Sequence, residues 1–230
     1  MPHVLVTGAN RGLGLEFVRQ FLMRGDHVVA TCRDVAAATG LRQLEAGSGG
    51  RLRLLPLELP VEASIRGLAD ELGRLDTRID ILINNAGVLQ PGERFGDITL
   101  DGLGAAFSIN AAGPFLLTQA LAPCLADGAR VVNLSSRLGS IASSDAFRTP
   151  TYAVSKAALN MAGRLLAHAL ADRGIAVVAI SPGWVRTAMG GADAALAPEE
   201  SVTAMLRVID GIDLADSGGF LGTDGQPIPW

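Results

Sequence analysis

The sequence predicts a doubly wound α/β fold, in which a mostly parallel, seven-stranded sheet carries helices on both faces. Six runs rich in Val, Ile and Leu and a short seventh run recur along the chain, and helical patterns lie between most of them. Nearly continuous apolar strands that alternate with helices are typical of a parallel sheet covered on both sides. A chain of 230 residues has the length of one such domain, so we expect residues 1–230 to form a single unit.

The predicted elements follow one another in a regular order. Strands are expected at His3–Val6, His27–Cys32, Leu52–Leu57, Ile79–Ile83, Arg130–Leu134, Ile175–Ile180 and Gly219–Leu221. Helices are expected at Leu13–Arg24, Ser64–Leu75, Leu100–Leu125, Tyr152–Asp172 and from Pro198 to near Gly211. The long third helix should break near Gly113-Pro114, and Pro198 followed by two acids is typical of a helix start. Ala46–Gly50 is expected to be a turn, too short for a domain linker.

The composition excludes several classes of protein. Hydrophobic residues make up 49% of the chain and charged residues 18%, which indicates a globular protein. The net charge of −4 and the lack of a basic run argue against nucleic acid as a partner. Mean hydropathy is +0.34, but Gly, Pro and charged residues interrupt the apolar runs, so no membrane partner is expected. The first strand begins almost directly after Met1-Pro2, so we expect no signal peptide and a cytoplasmic location.

The spacing of the cysteines and histidines indicates neither a metal site nor a Ser-His-Asp hydrolase. Cys32 and Cys124 belong to no metal-binding or redox pattern, and we interpret both as small buried side chains. His3, His27 and His168 are scattered and form no pair with ligand spacing. The sequence therefore predicts no metal site.

A glycine-rich loop, Thr7–Gly14, directly follows the first strand and opens a helix. Glycines let the backbone turn tightly and approach a pyrophosphate, and the free amides of the helix start attract the anion. The strand before the loop and the helix after it predict a Rossmann-type dinucleotide site. The alternative is a tight strand-to-helix turn without a ligand.

The choice between the two nicotinamide coenzymes depends on Arg33, at the end of the second strand. An acid near this place would bind a ribose hydroxyl, whereas arginine accommodates a 2′-phosphate. Arg33 and Arg11 together favour NADP(H) over NAD(H). Asp34 leaves NAD(H) as the less favoured alternative, and Arg33 could also be merely solvated.

The only tyrosine and the only lysine of the chain, Tyr152 and Lys156, stand four positions apart in a predicted helix. Residues at this spacing lie on one helical face. An ammonium about 4 Å from the phenol would lower its pKa from about 10 toward 7, where tyrosine exchanges protons readily. The alternative is a core tyrosine beside a solvated lysine.

Six motifs together resemble the short-chain dehydrogenase/reductase family, in the order and at the spacing usual there. They are the glycine loop, Asn84–Gly87, Asn110, Ser135-Ser136, Tyr152-x-x-x-Lys156 and Ser181-Pro182-Gly183. Within the family, Trp184–Gly191 and the last residues to Trp230 resemble the carbonyl reductase branch, which includes sniffer and the bacterial C-factor proteins. The resemblance extends from residue 3 to residue 230.

This resemblance implies a catalytic tetrad of Asn110, Ser136, Tyr152 and Lys156. Tyr152 would protonate the substrate oxygen and Ser136 would hydrogen-bond it. Lys156 would lower the phenol pKa and hold the nicotinamide ribose, while Asn110 would connect a water chain. Ser136 is preferred to Ser135 because the family serine is usually followed by two residues and a glycine.

The resemblance also implies a set of cofactor-binding residues. They are Gly8, Asn10, Arg11, Gly12, Leu13, Gly14, Arg33, Glu58, Leu59, Asn85, Ala86, Gly87, Tyr152, Lys156, Pro182, Gly183, Val185 and Thr187. Glu58 stands where the family usually has aspartate, which affects the adenine contacts. The spacing from Ser136 to Tyr152 is longer than usual, so we expect Ser140–Pro150 to form a lip over the substrate.

The expected function is hydride transfer between NADP(H) and a small carbonyl or alcohol substrate. Val88-Leu89, Leu138, the lip and the loop Trp184–Pro198 should line the substrate pocket, with Arg137 and Arg148 as open alternatives for binding an acidic group. The alternative function is a nucleotide-binding signalling or interaction protein of the C-factor type with little turnover. A homodimer or homotetramer is left open.

Overall fold

The computed structural model describes residues 1–230 and is built around a seven-stranded sheet. The strands are β1 His3–Val6, β2 His27–Cys32, β3 Leu52–Pro56, β4 Ile79–Asn84, β5 Leu125–Leu134, β6 Ala176–Ile180 and β7 Phe220–Leu221. The helices are α1 Gly12–Met23, α2 Thr39–Gly47, α3 Glu62–Arg74, α4 Leu100–Phe107, α5 Gly113–Leu121, α6 Pro150–Leu170 and α7 Pro198–Gly211. The predicted doubly wound fold is confirmed.

Every pair of neighbouring strands is parallel, in the order β3-β2-β1-β4-β5-β6-β7. The order reverses between β1 and β4, so the chain leaves these two strands toward opposite sides. In sheets of this kind, ligands bind in the crevice that this reversal opens at the carboxyl ends of the strands. The topology therefore predicts the candidate site at the carboxyl ends of β1 and β4.

The side chains of the strands alternate between two hydrophobic cores. In β1, Val4 and Val6 belong to the core beneath α1 and α7, whereas Leu5 belongs to the core beneath α3, α5 and α6. The same alternation holds in β6, where Val177 and Val178 face opposite cores. Because both faces are covered, nearly every strand residue is apolar, which explains the continuous runs in the sequence.

Three regions differ from the sequence prediction, and one of them is the start of β5, which lies at Leu125 rather than at Arg130. Helix α2 was not predicted, because Leu41 is its one buried residue and its apolar pattern is correspondingly weak. Its last residues, Ala46 and Gly47, fall within the segment predicted as a turn. In the long third helix, the chain stays helical through Gly113-Pro114, and the irregularity is a π-helical turn at Ser108–Ala112.

The helical run Leu100–Cys124 is long and apolar enough to cross a membrane by length and composition, with a mean hydropathy of 1.2. The glycine and proline residues that interrupt this apolar run in the sequence do not end the helix. In the fold, the run covers one face of the sheet, and Leu117 and Leu121 lie fully buried in the core there. The apolar composition of α5 is thus explained by packing against protein.

A matched pair of substitutions in this run tests that packing. We expect Leu117→Ala to lower the free energy of unfolding by about 2–5 kcal/mol, because Leu117 is 0% exposed and its loss leaves a cavity. Leu100→Ala should change it by less than about 0.5 kcal/mol, because Leu100 is 85% exposed. Urea unfolding of both variants measures the difference, and equal effects would contradict the described packing.

Candidate active site

The glycine loop is tied to the loop after β4 by the side chains of Thr7 and Asn85. Thr7 Oγ1 accepts hydrogen bonds from the backbone N–H groups of Asn85 and Ala86, both at 3.0 Å. Asn85 Nδ2 donates to the carbonyl oxygens of Thr7 at 2.7 Å and Gly8 at 3.1 Å. The Asn85 side chain therefore holds the glycine loop in place, a contact that sequence reasoning did not predict.

Two glycines of this loop lie where no side chain fits. Gly8 has a φ of +62°, and a Cβ there would come within 2.8 Å of Ala86 Cα. A Cβ at Gly14 would come within 2.5 Å of the carbonyl oxygen of Gly8. The loops after β1 and β4 can approach this closely only because both positions are glycine.

The start of α1 presents free hydrogen-bond donors. The backbone N–H groups of Gly12, Leu13 and Gly14 make no hydrogen bond within the protein, and no side chain caps the helix. Such unpaired amides, together with the helix dipole, favour an anionic group. The arrangement fits the pyrophosphate of a dinucleotide, and Gly8, Asn10 and Arg11 border the same place in the sequence.

The residues predicted to contact the adenosine half of the coenzyme differ in their solvent exposure and in their hydrogen-bond partners. Arg11 and Arg33 are exposed, and their side chains form no ion pair or hydrogen bond within the protein. Asp34 is engaged locally, since its Oδ1 accepts a hydrogen bond from Ala37 N at 3.0 Å. Glu58 is exposed, but Leu59 is buried in the core, where only a glycine at position 113 leaves room for it. The Leu59 side chain is therefore a packing residue.

The loop after β6 closes over the start of α1. Thr187 Cγ2 lies 3.4 Å from the position that a Cβ on Gly12 would occupy. Val185 is buried and pairs with Leu196 as an isolated parallel bridge, so the loop is closed at its base. Pro182 O accepts a hydrogen bond from Ser201, at the start of α7. Gly183 in between has a φ of +79°.

Tyr152 and Lys156 lie on one face of α6, as their spacing predicts. Lys156 Nζ is 5.5 Å from the centroid of the Tyr152 ring, and both side chains are buried. The ammonium donates a hydrogen bond to the carbonyl oxygen of Leu134 at 2.7 Å, at the end of β5. Helix α6 is thereby attached to the sheet next to its catalytic candidates.

The predicted lowering of the Tyr152 pKa is contradicted by the structure. Burial raises the pKa of Tyr152 to about 12, and a hydrogen bond with the Ser136 side chain acts in the opposite direction. Burial also lowers the pKa of Lys156 to about 8. The physical reason is desolvation, which penalises the charged form of each group. Without a bound nucleotide, Tyr152 is therefore a firmly protonated phenol.

Ser136 and Ser135 have different surroundings. Ser136 is half-buried beside Tyr152, and its Oγ accepts a hydrogen bond from Leu138 N at 3.2 Å. Ser135 is buried and donates a hydrogen bond to Asn160 Oδ1 at 2.6 Å, away from the phenol. The structure thus places Ser136, and not Ser135, next to the tyrosine hydroxyl.

Asn110 lies in the π-helical turn, and its side chain is fully occupied. Its Oδ1 accepts a hydrogen bond from Val88 N, and its Nδ2 donates to Val88 O, both at 2.8 Å. Nδ2 also donates to Ser155 Oγ at 2.9 Å, and Ser155 Oγ donates to the Tyr152 carbonyl at 2.7 Å. The amide therefore connects the loop after β4 with α6, and Ser155 is a contributor that the sequence signalled only by its place beside Lys156.

The expected substrate side of the site is bordered by exposed apolar groups. Val88, Leu138 and Trp184 each expose a third or more of their surface. Arg137 is exposed, and Arg148 makes a solvent-exposed ion pair with Asp145 at 3.6 Å. No three His, Cys, Asp or Glu side chains are grouped so that they could hold a metal ion.

Known proteins resemble this chain both in sequence and in structure. A family model described as enoyl-(acyl carrier protein) reductase matches residues 8–227. A C-signal protein of Myxococcus xanthus is 44% identical over 154 residues, which cover 66% of this chain and 93% of that protein.

Solved structures superpose over the whole chain. Carbonyl reductase Sniffer of D. melanogaster does so with a TM-score of 0.94 at 29% identity, and both chains are covered completely. The NADPH-bound carbonyl reductase from chicken fatty liver has a TM-score of 0.93 at 36% identity, covering 100% of this chain and 99% of that one.

The single tyrosine and single lysine make the two pKa values directly measurable. In protein without nucleotide, carbon-13 labels on tyrosine Cζ and lysine Cε each give one resonance for a folded chain. We expect the Tyr152 signal to stay at its protonated position through pH 10, because burial raises its pKa to about 12. The Lys156 signal should titrate with a midpoint near 8 rather than near 10.5. A tyrosine midpoint near 7 would restore the expectation from the sequence.

Proposed function

We propose that this chain, which belongs to the short-chain dehydrogenase/reductase family, reduces a small carbonyl substrate with NADP(H) and uses Tyr152 as the proton donor. The reverse alcohol oxidation is the same chemistry in the other direction. The observation that carries the proposal is the position of the buried Tyr152 and Lys156 and the half-buried Ser136 beside a crevice whose helix start offers three free amides. The extent of the catalytic unit, residues 1–230, and its cytoplasmic location are part of the proposal.

The residues of the crevice suit a dinucleotide. The amides of Gly12 to Gly14 would hold the pyrophosphate, and Thr187 together with the loop Asn85–Gly87 would border the nicotinamide half. Lys156 would contact the ribose. A bound nicotinamide coenzyme would supply or take up the hydride, and every proton step would fall to side chains of the protein.

The electrostatics of the site favour reduction over oxidation. A phenol with a pKa near 12 is protonated at neutral pH and is ready to donate to an oxygen that gains negative charge. The Ser136 side chain lies beside that phenol, where it acts to lower the phenol pKa, and it would also stabilise the substrate oxygen. As Tyr152 loses its proton, the Lys156 ammonium 5.5 Å from the ring would stabilise the phenolate in a site with little water.

NADP(H) is the proposed coenzyme because of two arginines. Arg11 and Arg33 have no partner inside the protein, so their guanidinium groups are free to bind a 2′-phosphate. The NADPH-bound state of the chicken carbonyl reductase, with which the chain superposes, supports this choice. Asp34 is committed to a local turn, which reduces its ability to favour NAD(H).

A second candidate function is signalling, with nucleotide binding but little turnover. The likeness to the C-signal protein of Myxococcus xanthus favours it. The arrangement of Ser136 beside the buried Tyr152 and Lys156 favours turnover, because a protein that only binds nucleotide needs no proton donor. A panel of aldehydes, ketones and quinones with NADPH separates the two, since only an enzyme consumes the coenzyme.

Replacing Tyr152 tests the proton donor. Tyr152→Phe should reduce kcat for carbonyl reduction by about 10²- to 10⁴-fold, the range of general acid catalysis, because it removes only the hydroxyl. The dissociation constant for NADPH and the circular dichroism spectrum should stay unchanged and serve as controls. Activity within a few-fold of the wild type would refute the assigned role.

A second pair of variants tests the coenzyme preference. Arg33→Ala should weaken NADPH binding by about ten- to a hundredfold and leave NADH binding nearly unchanged, because only NADPH carries the 2′-phosphate. Arg207→Ala, which removes an exposed arginine of α7 that has no ion pair, is the matched control and should change neither constant. Calorimetry measures the dissociation constants of NADPH and NADH for the wild type and both variants. Equal weakening of both coenzymes by Arg33→Ala would show that Arg33 does not bind the phosphate.

A further inference from the structure

The lip, Ser140–Pro150, is buried at its first residue and exposed over most of its length. We call Ser140 and the turn that follows it, up to Ser143, the root of the lip. All eight residues from 141 to 148 are exposed, whereas Ser140 is only 1% exposed. The segment contains no helix or strand before α6 begins. Its position is therefore decided by the few contacts at its ends.

The root of the lip is bound by the last two residues of the chain. Ser140 Oγ donates a hydrogen bond to the carbonyl oxygen of Pro229 at 2.6 Å, and it accepts one from Ser143 N at 3.1 Å. Ala142 N donates to the carbonyl oxygen of Trp230 at 2.8 Å. Two hydrogen bonds between segments about 90 positions apart thus hold the first turn of the lip.

The C-terminal segment Gln226–Trp230 is itself attached to the sheet. Ile228 N donates to Phe220 O at 2.7 Å, and both side chains are buried in a small cluster next to β6. The Trp230 ring stacks on Phe220 at a centroid distance of 5.7 Å. The C-terminal segment therefore connects the lip to β7 and holds it at a fixed distance from that strand.

The far end of the lip has a weaker connection. Phe147 contacts Phe95, in the loop after β4, edge-on at 5.7 Å. Phe95 is 88% exposed, so this pair excludes little water and stabilises the lip only slightly. Most of the order in the lip must come from its root.

We propose that Ser140 and Trp230 are positioning residues that set the size selectivity of the candidate active site by holding the lip through the C-terminal segment. The inference rests on the proposed function, because the lip borders a substrate only if Tyr152, two residues beyond it, is the proton donor. Loss of the connection should change how well bulky carbonyl substrates bind. It should not change binding of the coenzyme, because none of the candidate coenzyme contacts lies in the lip or in the C-terminal segment.

The first measurement detects the lip directly and does not depend on activity. Trypsin cleaves after Arg148, and it needs the lip to open locally before it can bind. In the NADPH-loaded protein, Ser140→Ala and Trp230→Ala should each speed this cleavage about two- to tenfold, the effect of losing one net hydrogen bond or a comparable contact. Fragments 1–148 and 149–230 identify the cut by mass.

Two matched variants control this measurement. Ser144→Ala makes the same chemical change within the lip, but the Ser144 hydroxyl has no hydrogen bond in the protein, so cleavage should stay at the wild-type rate. Trp230→Phe keeps an aromatic ring on Phe220 and should restore most of the resistance that Trp230→Ala loses. Unchanged cleavage in both Ser140→Ala and Trp230→Ala would overturn the proposal.

The second measurement tests the substrate role. We compare KM and kcat for the smallest and the largest carbonyl compounds that the wild type reduces. Ser140→Ala and Trp230→Ala should change KM for the largest compound about two- to tenfold, with KM for the smallest, kcat and the NADPH dissociation constant nearly unchanged. Faster cleavage with an unchanged KM ratio would overturn the selectivity role.

The two measurements also separate this inference from the proposed function. A wild type that reduces no carbonyl compound would refute the proposed function and the selectivity role with it. The trypsin result would still decide whether the C-terminal segment holds the lip.

Discussion

All strands of the sheet run in one direction, and the whole site depends on this constraint. In a parallel sheet, the carboxyl ends of the strands lie along one edge, and each connection must cross back over a face. The candidate residues accordingly follow successive strands: Gly8 follows β1, Arg33 β2, Asn85 β4, Ser136 β5 and Thr187 β6. Residues far apart in the chain meet at this edge, and the reversal of strand order between β1 and β4 opens the crevice among them.

Burial controls the chemistry within that crevice. Tyr152 and Lys156 are held out of water by α6 and β5, so each is driven toward its neutral form before any coenzyme is bound. The hydrogen bond from Lys156 to Leu134 and the Ser136 side chain beside Tyr152 partly offset this cost. An arrangement that keeps the phenol protonated while a cation lies close by suits a proton donor whose negative product is stabilised.

Close backbone contacts and a buried side-chain amide hold the catalytic candidates in fixed positions. A Cβ on Gly139 would come within 2.8 Å of Lys156 Cβ, so the turn after Ser136 can press against α6 only as glycine. Asn110, with no exposed surface, connects the loop after β4 to Ser155 on the same helix. Buried polar groups of this kind are costly unless fully paired, and their complete pairing here specifies one arrangement of the site. The lip lies outside this network, and its hydrogen bonds to distant parts of the chain are those to the C-terminal segment.

The sequence by itself determined the fold class, most strands and helices, and the shared helical face of Tyr152 and Lys156. These features rest on local periodicity and on spacing along the chain, which can be read without knowing any distant contact. Helix α2 escaped prediction because only Leu41 marks its buried face, and the π-helical turn at Ser108–Ala112 leaves no periodic signal.

The tertiary structure alone decided the direction of the Tyr152 pKa, the partners of Asn110, and the contact between the lip and Trp230. Each of these depends on which groups from distant parts of the chain surround a side chain and exclude water from it. Burial and long-range pairing are properties of the packed molecule, and no pattern of neighbouring residues encodes them.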